Sequence, residues 1–261
     1  MLAATDLDGT LLRSDGTVSG ATRRVLAAVE EAGVPVVFVT GRPLRWMRDL
    51  FSMVGAHGVA VLGNGAVVYD VGAGEVRRLR GIERDAGDRV MAAVRAGVPG
   101  ALMGLEDLDG LAAEPGFVDE SRTDRVGPLA DVWSDGVTKV LVRAPGLEPE
   151  ALQDQVAAAV GGLATVTWSM PGLVEISATG VTKASALAEV AADLGVAAAD
   201  VVAFGDMPND LPMLGWAGTS YAVANAHPTV LEATDHTAPA NDADGVARTL
   251  ARLVPITPDL V

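Results

Sequence analysis

Two apolar runs in this 261-residue chain end in carboxylates. Leu2-Ala3-Ala4-Thr5 leads straight into Asp6-Leu7-Asp8-Gly9, and the run Asp200–Phe204 leads into Gly205-Asp206-Met207-Pro208-Asn209-Asp210. Acids delivered by a buried segment are poor packing chemistry, because an unpaired buried charge is costly. They are good site chemistry. Asp6 and Asp8 can share a hard cation, one acid attacking a substrate and the other moving protons. The competing reading is a turn or helix-cap pair, since Asp and Gly are ordinary turn residues. Thr40, at the end of Val34–Val39, can donate its hydroxyl to a phosphate oxygen beside free backbone N–H groups, or simply cap a helix. Lys139 and Lys183 are the only lysines among 19 basic residues. Lys183 opens a helix at 184–194, where the helix dipole disfavours an ammonium. That cost makes sense if the lysine neutralises a phosphate; an exposed helix-start lysine is the alternative.

These residues need elements to position them. Leu2–Thr5 reads as a strand. Ser19 caps a helix running to Ala32, Gly33 stops it, and Val34–Val39 is a second strand. Pro43 then begins another helix. Strand–helix–strand–helix order implies a parallel sheet with right-handed crossovers. Ligands bind beyond the carboxyl ends of such strands, where Asp6 and Thr40 both lie. Val59–Leu62 is another strand, Gly63-Asn64-Gly65-Ala66 a turn, and Val67–Tyr69 with Glu75–Arg80 a hairpin. Asn64 serves that turn, which needs nothing more to explain it.

Around Gly81 the character changes. Helices at 83–96 and 148–160 and strands at 101–105, 138–143, 163–168 and 173–177 suggest an α+β module of ordinary size. Parallel-sheet order resumes after it. The expected division is a discontinuous Rossmann-like α/β core, residues 1–81 and 180–261, with an inserted module at 82–179. Glycines at both crossings suit a lid that opens and closes; two rigidly packed modules are the alternative.

Composition narrows the function. The net charge of −15 argues against nucleic acid or an acidic membrane as partner. An anionic substrate must therefore be drawn in by local cations. Cysteine is absent, which excludes thiol chemistry. No apolar stretch approaches membrane-spanning length and no basic signal-like start is present, so the expectation is a soluble cytoplasmic protein. His57, His227 and His236 lack zinc-site spacing and read as surface or loop residues. Trp46, Trp133, Trp168 and Trp216 read as core residues or residues of the interface with the inserted module, and Glu106-Asp107-Asp109 as a solvated acidic loop or a cluster that meets a substrate.

The sequence also carries a resemblance. Asp6-Leu7-Asp8-Gly9-Thr10, Thr40-Gly41-Arg42, Lys183 and Gly205-Asp206-Met207-Pro208-Asn209-Asp210 resemble, in order, the four motifs of the haloacid dehalogenase superfamily of phosphohydrolases. Ala184 departs from the glycine that commonly follows the lysine. The inserted module is similar to the type IIB cap of the Cof-like branch. The resemblance implies a phosphomonoester hydrolase with an aspartyl-phosphate intermediate. Asp6 would be the nucleophile and Asp8 the acid and base. Mg²⁺ would be held by the Asp6 carboxylate, the Asp8 backbone carbonyl and Asp206. Thr40, Gly41, Lys183 and Asn209 would bind phosphate, and Asp210 would orient Lys183 or a metal-bound water. Arg42 would help hold an anionic substrate, or form a surface or cap-facing salt bridge. The implied substrate is a small phosphorylated metabolite, chiefly a sugar phosphate, with phosphoglycolate-like acids, nucleotides and phosphorylated cofactors as the other classes. A phosphomutase and a non-enzymatic metabolite sensor use the same scaffold and are the alternatives. Oligomeric state is not legible.

Overall fold

The computed structural model describes residues 1–47, 49–53, 58–118 and 123–256. His57 lies outside them. Strands β1 (Leu2–Thr5), β2 (Val36–Val39) and β3 (Val59–Leu62) are buried along their whole length. Their Val- and Ala-rich runs suit a sheet covered on both faces. β4 (Val67–Asp70) and β5 (Glu75–Leu79) add an antiparallel hairpin at one edge. β12 (Val201–Gly205), β13 (Thr219–Val223) and β14 (His236–Ala238) extend the sheet on the other side of β1. The order is β14-β13-β12-β1-β2-β3-β4-β5, parallel from β14 to β3. β1 and β12 are direct neighbours, with Thr5 opposite Phe204. The two acid-bearing strand ends therefore meet in the middle of the sheet.

Helix α1 (Gly20–Glu31) is capped by Ser19, whose hydroxyl accepts the Thr22 N–H at 3.0 Å, and it buries Val25, Leu26 and Val29. It packs on α8 (Gly245–Leu253). α5 (Lys183–Asp193) packs on α6 (Leu211–Trp216).

A second sheet, of six strands among the described residues, runs β10-β11-β9-β6-β7-β8. Its members are β6 (Leu102–Glu106), β7 (Leu111–Ala113), β8 (Arg125–Val126), β9 (Lys139–Arg143), β10 (Thr165–Met170) and β11 (Leu173–Ser177). Helices α2 (Arg84–Gly97) and α4 (Pro149–Val160) pack together on one of its faces. They form an apolar core separate from that of the first sheet. Alternation along β9 sends Val140 and Val142 into that core and leaves Lys139, Leu141 and Arg143 on the opposite face. This free face looks toward the ends of β1 and β2 across a cavity.

Several local expectations differ from the fold. Pro43 precedes a single tight turn at Leu44–Trp46, not a full helix. β2 starts at Val36. The acidic stretch after Glu106 contains β7. Glu106 and Asp107 are buried, not solvated: Glu106 pairs with Arg45 and Lys139, and Asp107 with Arg125. Trp46 is 56% exposed and belongs to no core. Among the described residues no helix is long and apolar enough to cross a membrane.

Candidate active site

Asp6 leaves β1 at the point where the chain turns. The Leu12 N–H reaches back to the Leu7 carbonyl at 2.8 Å, closing a wide helical turn over Leu7–Leu11. Gly9 sits in that turn at φ +76°, and any Cβ there would collide with the Asp206 carboxylate. Glycine is thus required twice, by backbone and by space. The turn presses the Asp6 loop against the end of β12. There the Thr10 hydroxyl donates to Asp206 Oδ1 at 2.8 Å.

Lys183 lies behind Asp6. Its side chain is fully buried, and Nζ donates to Asp6 Oδ1 and to Asp210 Oδ1, both at 2.6 Å. Burial alone would push its pKa down, but the attraction of Asp210 and Asp6 outweighs this and holds it above its usual value. The expected alternative of an exposed lysine is excluded. Asp210 is in turn fixed by the backbone: its Oδ2 accepts the N–H groups of Asp206 and Met207 at 3.0 Å each. Thr182 and Ser185 cap α5 reciprocally, so Lys183 leaves the helix start in a fixed direction.

Three carboxylates gather near this one ammonium, which bonds two of them. Asp6, Asp206 and Asp210 offer oxygens within 4.8 Å of one another, all buried. Burial, with repulsion from Asp210 and Asp206, raises the Asp6 pKa well above the ordinary range against the pull of Lys183. Burial and then Asp210 raise Asp206 to about 7. A cluster with this excess of negative charge fits a divalent cation, whose charge would remove the repulsion.

The other expected residues lie around a cavity of about 870 Å³ between the two sheets. Asp6, Asp8, Gly41, Arg42 and Asn209 line it; Lys183, Asp206 and Asp210 stand behind Asp6. Thr40 is buried at the end of β2 and its Oγ1 accepts the Arg42 N–H at 3.1 Å. Asp8 is 59% exposed, and Arg42 grips it with two hydrogen bonds, Nε to Oδ2 at 2.7 Å and Nη2 to Oδ1 at 2.6 Å.

Asn64 does more than make a turn. It is buried at φ +58°, a left-handed conformation that Asn tolerates better than most residues. Its Oδ1 accepts from Asn209 Nδ2 and its Nδ2 donates to Glu175 Oε2, each at 3.1 Å. Glu175, on β11, accepts Lys139 Nζ at 2.8 Å, and Lys139 also donates to the Gly41 carbonyl at 2.8 Å. Glu106 completes the cluster, 2.9 Å from Lys139 and 2.9 Å from Arg45. Burial raises the Glu175 pKa, but Lys139 more than compensates and holds it below its usual value. These ionic contacts join the second sheet to the loops after β2 and β3. Lys139 is marked in the sequence by its rarity; Glu175 was missed, and the one signal for it is a charge inside the apolar run Leu173-Val174-Glu175-Ile176.

Residues 3–250 match the family described as haloacid dehalogenase-like hydrolase. The chain is 30% identical to the HMP-PP phosphatase of Enterobacter sp. (strain 638), covering 90% of this chain and 88% of that protein. It is 27% identical to the 5-amino-6-(5-phospho-D-ribitylamino)uracil phosphatase YcsE of Bacillus subtilis (strain 168), covering 97% of this chain and 95% of that one. The solved structure of a haloacid dehalogenase subclass IIB sugar phosphatase has the same fold, with a TM-score of 0.80 at 18% identity over 97% of this chain and 98% of that chain. The relatives just given are phosphatases, and the chain belongs to the haloacid dehalogenase-like hydrolases.

Proposed function

We propose that the protein hydrolyses a small phosphorylated metabolite through an aspartyl-phosphate on Asp6 and with Mg²⁺ as cofactor. The observation that carries the reading is the placement of Asp6. It is the one member of the buried carboxylate cluster that also lines the cavity. An Asp6 oxygen attacks phosphorus and the bond to the leaving alkoxide breaks. Asp8 gives that oxygen its proton. Asp8 then takes a proton from the water that attacks the acyl phosphate, releasing inorganic phosphate and restoring the Asp6 carboxylate.

Lys183 holds one Asp6 oxygen, leaving the other for attack. It also supplies positive charge that a phosphate dianion needs in a chain this acidic. Asp6 and Asp206, with the Asp8 backbone carbonyl, are the residues that would hold Mg²⁺, which when bound offsets the repulsion between carboxylates and phosphate. The Gly41 backbone and Thr40 receive the remaining phosphate oxygens, and Asn209 completes the pocket from α6's side of the site. Residues 82–179 act as the cap that covers the substrate, hinged near Gly81 and 178–181. The names of the two phosphatase relatives support a substrate in which the phosphate is attached to a larger organic body.

Phosphate release from a panel of phosphorylated metabolites, with Mg²⁺ and beside Asp6→Asn, tests the reading. Release by the native chain and none by the mutant is expected, as is loss of release on exhaustive chelation and recovery with added Mg²⁺. Equal release by Asp6→Asn would overturn the assignment.

A further inference from the structure

The cap face of the cavity is graded. Glu106, Lys139 and Glu175 lie at its inner end, where Lys139 touches the Gly41 carbonyl. Further out the wall is apolar: Leu141, Leu173, Met170, Leu111 and Phe117. The Phe117 ring lies against Gly104, where any Cβ would approach Cε1 to 2.9 Å, so the absence of a side chain at 104 makes the seat for the ring. Opposite, on the core side, Trp46 lines the same cavity with more than half of its surface open, and the Arg45 guanidinium sits 5.2 Å from its ring centre.

Arg143 stands at the outer end of this wall, on the same face of β9 as Lys139 and Leu141. Three residues of strand separate it from Lys139, a rise of about 13 Å. Its guanidinium is 5.6 Å from the Phe117 ring centre, and its Nε is buried with no hydrogen-bond partner among the described residues. The other cations lining the cavity are all paired: Arg42 with Asp8, Arg45 with Glu106, and Lys139 with Glu106 and Glu175. Among the described residues, Arg143 alone lines it with no carboxylate partner. Ser169 is already committed to Glu175. A polyol would find few groups to satisfy its hydroxyls along this wall, and each unsatisfied hydroxyl is costly. Aromatic and aliphatic surface instead favours a flat unsaturated body, and an unpaired guanidinium favours an oxygen acceptor.

Resting on the phosphatase reading, we propose that Arg143 is a specificity residue. It receives a carbonyl or carboxylate oxygen at the far end of a flat, unsaturated leaving group whose phosphate sits at Asp6. The leaving group lies between Phe117 and Trp46. A cavity of about 870 Å³ is near the upper end for small-molecule sites, and a long substrate of this shape fills it better than a simple sugar phosphate.

Three phosphate monoesters test this: p-nitrophenyl phosphate, glucose 6-phosphate and flavin mononucleotide, the last a long ester with a flat ring system bearing carbonyls. The native protein is expected to prefer flavin mononucleotide over glucose 6-phosphate at least tenfold in kcat/KM. Arg143→Met is expected to lower kcat/KM for flavin mononucleotide by roughly ten- to hundredfold, mainly through KM. The loss on p-nitrophenyl phosphate should be at least tenfold smaller. Arg143→Lys, which keeps the charge without the fork, should recover only part. Equal losses on all three esters, or a preference for glucose 6-phosphate, would overturn the proposal. Flavin fluorescence reads binding without turnover. In an Asp6→Asn background, adding Arg143→Met is expected to weaken the Kd for flavin mononucleotide about tenfold or more, and an unaltered Kd would also overturn it. Failure of p-nitrophenyl phosphate hydrolysis by the native protein would instead count against the phosphatase reading, leaving the binding comparison to decide on Arg143.

Discussion

Arg42 and Asp8 form a two-pronged ion pair at the mouth of the cavity, with contacts of 2.6 and 2.7 Å. The Arg42 side chain is 23% exposed, and its pKa is raised chiefly by its hydrogen bonds to Asp8. The pair aims a carboxylate that would otherwise be free to rotate in solvent. If Asp8 transfers the protons, its orientation is part of catalysis. Asp8→Asn should lower kcat by about 10²–10⁴-fold, the range for a positioned acid–base group. Arg42→Met should lower kcat/KM by about tenfold or more, and Arg42→Lys should not restore it, because a point charge cannot replace the fork. Steady-state kinetics at neutral pH check both; Asp8→Asn turning over at the native rate would remove Asp8 from the mechanism.

If Asp6 is the nucleophile, its function conflicts with stability. Its carboxylate is buried beside Asp210 and Asp206, and its charged form is disfavoured there. An asparagine fills the same space and can still accept from Lys183. In chelator, Asp6→Asn should therefore melt at a higher temperature than the native protein. Added Mg²⁺ should stabilise the native protein more than the mutant. Calorimetry reads both, and a mutant that melts lower in chelator would show that Asp6 serves the fold as well.

The buried cluster at Lys139 should hold the cap against the core. Lys139→Met leaves Glu106 and Glu175 without their shared ammonium, and breaking such a buried pair costs about 3–5 kcal/mol. The pH dependence has a definite sign. The folded-state pKa of Glu175 is below its ordinary 4.5, so its stabilisation is present above that pH and is lost as pH falls through the folded value. The pKa of Lys139 is held above 10.5, so its contribution is complete below that pH and disappears at still higher pH. Denaturant midpoints should be insensitive to this cluster between those limits and fall on the acid side. Glu175→Gln should flatten the acid limb; identical acid limbs in mutant and native protein would contradict the account.

The parts of the site that were legible in sequence share one physical reason. Asp6, Thr40 and Asp206 follow buried strands, and Lys183 begins a helix that pays a dipole penalty to carry it. Each is thus an exception to a local pattern, visible without knowledge of distant contacts. The contacts between the second sheet and the loops of the first were not legible for the converse reason. Glu106, Lys139 and Glu175 sit on three separate strands, and each is explained only by the others. Asn64 was read as a turn residue because its backbone needs nothing more, while its side chain spans from Asn209 to Glu175. β7 was hidden because three residues beside acids and glycines show no periodicity.

The central claim is that phosphate passes through the Asp6 carboxylate. Borohydride reduces an acyl phosphate on aspartate to homoserine, and peptide mass spectrometry locates the altered residue. Native protein quenched with borohydride during turnover should carry homoserine at position 6, and protein without substrate should not. Turnover with no homoserine at position 6, or homoserine at position 8 instead, would contradict the account.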